Sequence, residues 1–150
     1  MNLSNIIRPE HVFADFTAPS KQKLLQALSK IAGKALAIPE GVIFEPLSTR
    51  EKLGSTGIGN GIAIPHSRLP GLEEPFGMFV RLGKPVDFEA IDETPVDIVF
   101  LLLMPDRAGK DHLNVLACIA RRLREPEVLR DVRSAPDAAR LYLSLVGSPL

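Results

Sequence analysis

Residues 96–104 read VDIVFLLLM, and Ile98 to Met104 is seven apolar residues without a break. A half-exposed strand alternates polar and apolar positions, whereas a run with no polar member needs apolar cover on both faces. Spanning a bilayer takes roughly 20 apolar residues, so this run is far too short. It therefore predicts a central strand with a layer packed on each side. The rest of the chain offers mostly helical patterns to supply those layers, which implies an α/β fold. The 150 residues are 45% apolar and 24% charged, enough for one core. No repeat, low-complexity stretch or Gly/Ser-rich linker divides them, and the 13 prolines are dispersed. One domain over residues 1–150 is expected.

Around that strand the local signals are uneven. Residues 11–16 (HVFADF) alternate loosely and suggest a short strand. Ser20 suits the N-cap of a helix whose apolar positions are Leu24, Leu25, Leu28, Ile31, Ala32, Ala35 and Leu36. A second helix is expected from Pro39. Pro46, which removes a donor and clashes with the preceding turn, should kink it or split it in two. Residues 54–61 (GSTGIGNG) carry four glycines in eight positions and predict a loop. Ile62-Ala63-Ile64 reads as a short strand ended by Pro65. Phe76, Met78, Val80 and Leu82 alternate on one face of another strand. Leu113, Leu116, Ala117, Ala120 and Leu123 form a helical stripe. Ser134 with Asp137 resembles a capping arrangement before a last helix containing Leu141, Tyr142 and Leu145.

Charge and chemistry narrow the function. Lys+Arg and Asp+Glu are both 18, so the net charge is zero, without the broad basic footprint of a nucleic-acid binder. The opening residues lack a signal-peptide pattern, and the single cysteine, Cys118, has no intrachain disulfide partner, which together suggest a soluble cytoplasmic protein. The three histidines, His11, His66 and His112, are scattered and lack metal-ligand spacing, so no metal site is expected. Cys118 reads as a buried inert thiol, and His11 as a surface or packing residue. His66 stands out because a glycine-rich loop, three apolar residues and a proline present it at a strand end, although such a histidine is often structural. The loop Gly57-Ile58-Gly59-Asn60-Gly61 has backbone N–H groups that suit a phosphate, or it simply makes tight turns. It lacks the Walker and dinucleotide patterns. Arg50 offers a planar fork for a phosphoryl group, unless Arg50 and Glu51 are a solvated surface pair. His112 opens a helix, where a neutral imidazole is favoured and an anion is stabilised.

Taken together, the segment from Arg50 through Gly54-Ser55-Thr56-Gly57-Ile58-Gly59-Asn60-Gly61 to Ile64-Pro65-His66 is far more specific than its parts. It resembles the active-site segment of enzyme IIA domains of the fructose/mannitol class in the bacterial phosphoenolpyruvate-dependent phosphotransferase system, most strongly the nitrogen-regulatory branch. Leu3-Ser4-Asn5-Ile6-Ile7, Arg68-Leu69-Pro70-Gly71-Leu72, Pro85 to Asp92 and Pro95-Val96-Asp97 extend the match over nearly the whole chain. The resemblance implies a mixed sheet of about five strands with helices on both faces. It implies that His66 accepts a phosphoryl group, on Nε2, from a histidine-phosphorylated carrier protein of the HPr/NPr kind. Arg50 and His112 would support the transfer, and Thr56, Gly57, Gly59 and Ser67 would bind the phosphate. No cofactor, nucleic acid or membrane insertion is implied. Two roles follow: a regulator whose partners read its phosphorylation state, or a relay that donates phosphate to a sugar-specific IIB domain.

Overall fold

The expected central strand is β6 (Val96–Pro105) in the computed structural model, which describes residues 2–107 and 110–147. Val96 and every residue from Ile98 to Leu103 are 0% exposed. Ile98, Phe100, Leu102 and Met104 face one layer, and Val99, Leu101 and Leu103 face the other. The first layer is α3 (Lys110–Arg124), α4 (Pro126–Ser134) and α5 (Ala138–Val146). The second is α1 (Lys21–Leu36) and α2 (Glu40–Leu53), which contribute Leu24, Leu28, Ile43 and Leu47. Two 3₁₀ turns, Leu3–Asn5 and Pro9–His11, lead into β1 (Val12–Phe16).

The remaining strands are β2 (Gly57–Gly59), β3 (Ile62–Ala63), β4 (His66–Leu69) and β5 (Phe76–Val86). The sheet order is β1-β5-β6-β3-β2, with β4 also paired to β6. β5 runs antiparallel to β6, while β3 and β4 run parallel to it, so the sheet is mixed. There are thus six strands where about five were expected. The extra pieces lie at the two positions where sequence punctuation was read as absence of structure.

The first is the glycine loop, which is not a loop throughout. Gly57–Gly59 pairs with β3, and the turn between them uses positive φ at Gly59 (97°), Asn60 (57°) and Gly61 (79°). The second is Pro65, which does not end the strand. Ile62 pairs with Ile98 and Ala63 with Val99; His66 then pairs with Leu102 and Leu69 with Pro105. The offset is the same on both sides, so β3 and β4 are one extended segment along β6. Pro65 has no N–H to give, but its carbonyl still accepts from the Leu102 N–H at 2.9 Å.

Other expectations also need correcting. Pro46 does not divide α2, which is continuous from Glu40 to Leu53. The carbonyl that loses its donor belongs to Val42, which is 47% exposed, so water can satisfy it. Pro39 stands at the N-cap of α2 rather than in its first turn. The buried stripe of α3 is Val115, Ile119 and Leu123; Ala117 is exposed and Leu113 is 67% exposed. Leu116 and Ala120 sit at the margin shared by the two possible stripes, which is why spacing alone mistook the phase. Asp137 caps α5 by accepting from the Arg140 N–H at 2.8 Å. Ser134 instead ends α4, its hydroxyl donating to the Arg130 carbonyl. Ser20 caps α1 as expected, accepting from the Lys23 N–H at 3.2 Å.

An interior proline costs a helix about 3 kcal/mol relative to alanine, partly offset by the entropy it removes from the unfolded chain. Pro46→Ala should therefore stabilise the protein by about 1–2 kcal/mol, read from the midpoint of urea denaturation. A destabilised variant would show that ring contacts of Pro46 outweigh the missing hydrogen bond.

Candidate active site

β4 is a sheet edge, paired on one side to β6 among the described residues. His66 opposes Leu102 and Arg68 opposes Met104, so both side chains emerge toward the α3–α5 layer. Ser67 opposes Leu103 and faces the α1–α2 layer. An open cavity of about 560 Å³ wraps this edge. Its walls are Glu45, Pro46, Thr49, Arg50 and Leu53 from α2, His66, Ser67 and Arg68 from β4, and His112 from the first turn of α3.

The His66 ring is fixed by its own backbone. Nδ1 lies 2.7 Å from the Ile64 carbonyl oxygen. A carbonyl can only accept, so Nδ1 carries the proton, and in the neutral ring the lone pair is on Nε2. The bond exists because Pro65 carries the chain on in extended form, bringing the ring back over the residue two positions earlier. His66 is held below the usual histidine pKa of 6.5, first by burial. The Ile64 bond opposes that shift; the nearby Arg50 charge adds to it, and Glu51 works against it.

The His112 ring centroid is 5.7 Å from that of His66, with the planes at 53°. Burial, then the neighbouring His66 and Arg68, hold His112 below 6.5 as well. Its Nδ1 is buried without a partner among the described residues, as is the Ser67 hydroxyl. At neutral pH the site therefore offers two uncharged imidazoles side by side.

Arg50 and Glu51 are not a solvated pair. Arg50 lines the cavity, and its Nη1 donates to the Gly54 carbonyl at 2.8 Å, which fixes the side chain along the end of α2. Glu51 is 7% exposed. It accepts from the Thr56 N–H at 3.1 Å and from the Thr56 hydroxyl at 2.6 Å, with Lys21 Nζ at 3.5 Å. A buried carboxylate needs such partners, and here they tie the last turn of α2 to the start of β2.

That arrangement divides the residues of the expected phosphate cradle. Both donors of Thr56 are spent on Glu51. Gly57 is glycine because a Cβ there would come within 2.8 Å of the Ala90 methyl. Gly59 lies beside the Asp92 carboxylate, which accepts from the Asn60 N–H and is unfavourable to an anion. None of the three lines the cavity. The fold gathers His66, His112, Arg50 and Ser67 and uses Thr56, Gly57 and Gly59 as support. His11 lies elsewhere, stacked on Phe76 at 4.9 Å, and Cys118 is half-buried against the core. Sequence reasoning passed over Glu51 as a buried group and gave Arg68 no place in the site. The signals were a threonine five residues after Glu51, and the two-residue spacing from His66 to Arg68 on a strand.

Residues 5–146 match the family model for the phosphoenolpyruvate-dependent sugar phosphotransferase system, EIIA 2. The chain belongs to this EIIA type 2 family. It is 44% identical over 149 residues to a nitrogen regulatory protein of Bradyrhizobium diazoefficiens, covering 99% of this chain and 97% of that one. It is 42% identical over 143 residues to a nitrogen regulatory protein of Escherichia coli, covering 95% and 88%. The crystal structure of nitrogen regulatory protein IIA-Ntr from Neisseria meningitidis superposes with a TM-score of 0.90 at 33% identity, covering 95% and 98%. This is the nitrogen-regulatory type of EIIA domain. No helix among the described residues of the domain is long and apolar enough to cross a membrane.

Two measurements check the geometry of this EIIA site. Histidine titration by NMR should give His66 and His112 midpoints below 6.5, with His66 in the Nδ1–H form. The unfolded chain then binds more protons than the folded one just below pH 6.5, so stability should fall as pH drops through that value. A midpoint for His66 at or above 6.5 would contradict the burial. Thr56→Val, which removes the hydroxyl donor to Glu51 Oε2 and keeps the backbone N–H bond to Oε1, should cost about 1–3 kcal/mol in chemical denaturation.

Proposed function

We propose that His66 Nε2 accepts a phosphoryl group from a histidine-phosphorylated carrier protein of the HPr/NPr kind, and that the domain regulates partner proteins according to whether it carries that group. The observation that supports this most is the Nδ1–H bond to Ile64, which leaves the Nε2 lone pair as the ring's nucleophilic position beside Arg50. In the transfer the Nε2–phosphorus bond forms as the carrier's nitrogen–phosphorus bond breaks. The Nδ1 proton stays on the ring, bonded to Ile64, and the phosphorylated ring becomes cationic. Phosphoryl transfer needs positioning and charge neutralisation more than covalent help. Arg50 supplies charge. His112 and the Ser67 hydroxyl are the neighbouring hydrogen-bonding groups.

The domain is then a stoichiometric intermediate of a phosphotransferase chain, working in the cytoplasm and using no cofactor or metal. The exposed Leu53 (81%) on the cavity wall gives a macromolecular donor apolar footing, and Leu113 (67%), next to His112 in the chain, is exposed as well. The regulatory role is favoured over sugar relay by the relatives: those above 40% identity are nitrogen regulatory proteins. A fructose-specific EIIA component of Haloferax volcanii is 29% identical over 128 residues.

Incubation with phosphoenolpyruvate and the general phosphotransferase proteins should add one phosphate by intact mass, acid-labile and base-stable. His66→Ala should abolish it; persistent labelling would sink the assignment. Arg50→Lys should lose part of the transfer rate and Arg50→Ala more, while His112→Ala slows transfer in a folded protein. Chelator dialysis should leave acceptance unchanged. At least one regulatory partner should distinguish the phosphorylated from the unmodified form by tenfold or more, a difference of about 1.4 kcal/mol. Equal affinities would leave the relay reading.

A further inference from the structure

A phosphohistidine brings about two negative charges into the cavity at neutral pH. Arg50 answers one of them, and its guanidinium already donates to the Gly54 carbonyl. Lys21 is engaged with Glu51 and Glu89 on the far side of α2 and does not line the cavity. Arg68 is the second cation on the cavity wall, where Glu45 adds a carboxylate that raises the need for positive charge. It is exposed, and among the described residues it has no carboxylate or carbonyl partner, unlike Arg81, Arg122 and Arg133, which are each paired. It stands two positions after His66 on an extended strand, so the two side chains leave the same face. Its charge is felt at His112, on the opposite wall.

We propose that Arg68 is a phosphoryl-binding residue of this site: its guanidinium swings onto the phosphoryl group on His66 Nε2 and shares its charge with Arg50. This rests on the reading that His66 is the phosphorylated residue. An unpaired arginine pays no salt-bridge breakage on turning to the phosphate, and its planar fork can take two phosphoryl oxygens at once. The bond arithmetic is that of the transfer itself, and Arg68 exchanges no proton. Its contribution is present after transfer and absent before, so it acts on the position of the equilibrium between carrier and domain. It thereby sets how long the domain stays in its phosphorylated form.

The test measures the distribution of phosphate between purified carrier and domain at equilibrium, by intact mass, for the unaltered chain, Arg68→Lys, Arg68→Gln and Arg68→Glu. Arg68→Gln should shift the distribution about tenfold toward the carrier and Arg68→Glu further, with Arg68→Lys restoring most of the shift. The ³¹P resonance of the phosphohistidine should move in Arg68→Gln, and the NMR midpoint of His112 should rise in the unphosphorylated variant. An unchanged distribution in Arg68→Gln would overturn the proposal, as would a shift that Arg68→Lys does not relieve. The unaltered chain separates the two readings. If it gains no phosphate, or gains it in His66→Ala, the assignment of His66 fails. If it gains phosphate on His66 and Arg68→Gln behaves identically, only the role of Arg68 fails.

Discussion

The pairing of residues 62–69 along β6 holds core and site in one register. β6 buries alternate side chains in two opposite layers, and its neighbour follows it with a constant offset across Pro65. A slip of one residue would reverse every side chain on that neighbour, sending His66 to the α1–α2 face and Ser67 to the other. The cost of exposing the apolar partners forbids the slip, so the energetics of burial fix the orientation of the imidazole. Pro65 adds a local consequence. Its carbonyl faces β6, so the preceding Ile64 carbonyl points to the other side of the strand and accepts from the His66 ring.

Electrostatics divide the charged residues around α2 into two groups with different tasks. Buried Glu51 and Thr56 and half-buried Lys21 form a set whose polar atoms satisfy one another and tie α1, α2 and the start of β2 together. Arg50, one position earlier on the helix, is turned toward the cavity. Adjacent helical residues point about 100° apart, so an Arg-Glu pair at one helix end can serve solvent-facing and interior roles at once. The β2–β3 turn is held separately: Asp92 accepts from the Asn60 N–H, and Arg133 donates to the Asn60 carbonyl and to Asp97. The Asn60 turn of the glycine-rich segment is therefore tied through both its N–H and its carbonyl.

Both histidines of the site are held in the neutral form by burial beside arginines. Neutrality is what a nitrogen nucleophile needs, and positive charge in the wall is what a phosphoryl group needs. The two requirements are compatible because the same arginines that disfavour an imidazolium favour the incoming anion. Desolvation is the larger influence on both rings, so the reactivity of the site depends on the packing around it as well as on its charges.

How much of this was legible in the sequence depended on the range of the interaction. The apolar run in β6, the Ser20 cap and the alternation in β5 are local patterns, and each located its element. The segment from Arg50 to His66 carried the family and, through it, the expected partners of the phosphorylation chemistry. Tertiary structure decided the rest. Whether Pro65 ends a strand depends on a partner strand that can still use its carbonyl. Whether Pro46 breaks α2 depends on the exposure of Val42. The phase of the α3 stripe depends on which of two similar faces meets the sheet. That Arg50, His66 and His112 meet in one cavity follows from how α2 and α3 close on β4, a meeting of distant segments that no spacing in the chain encodes.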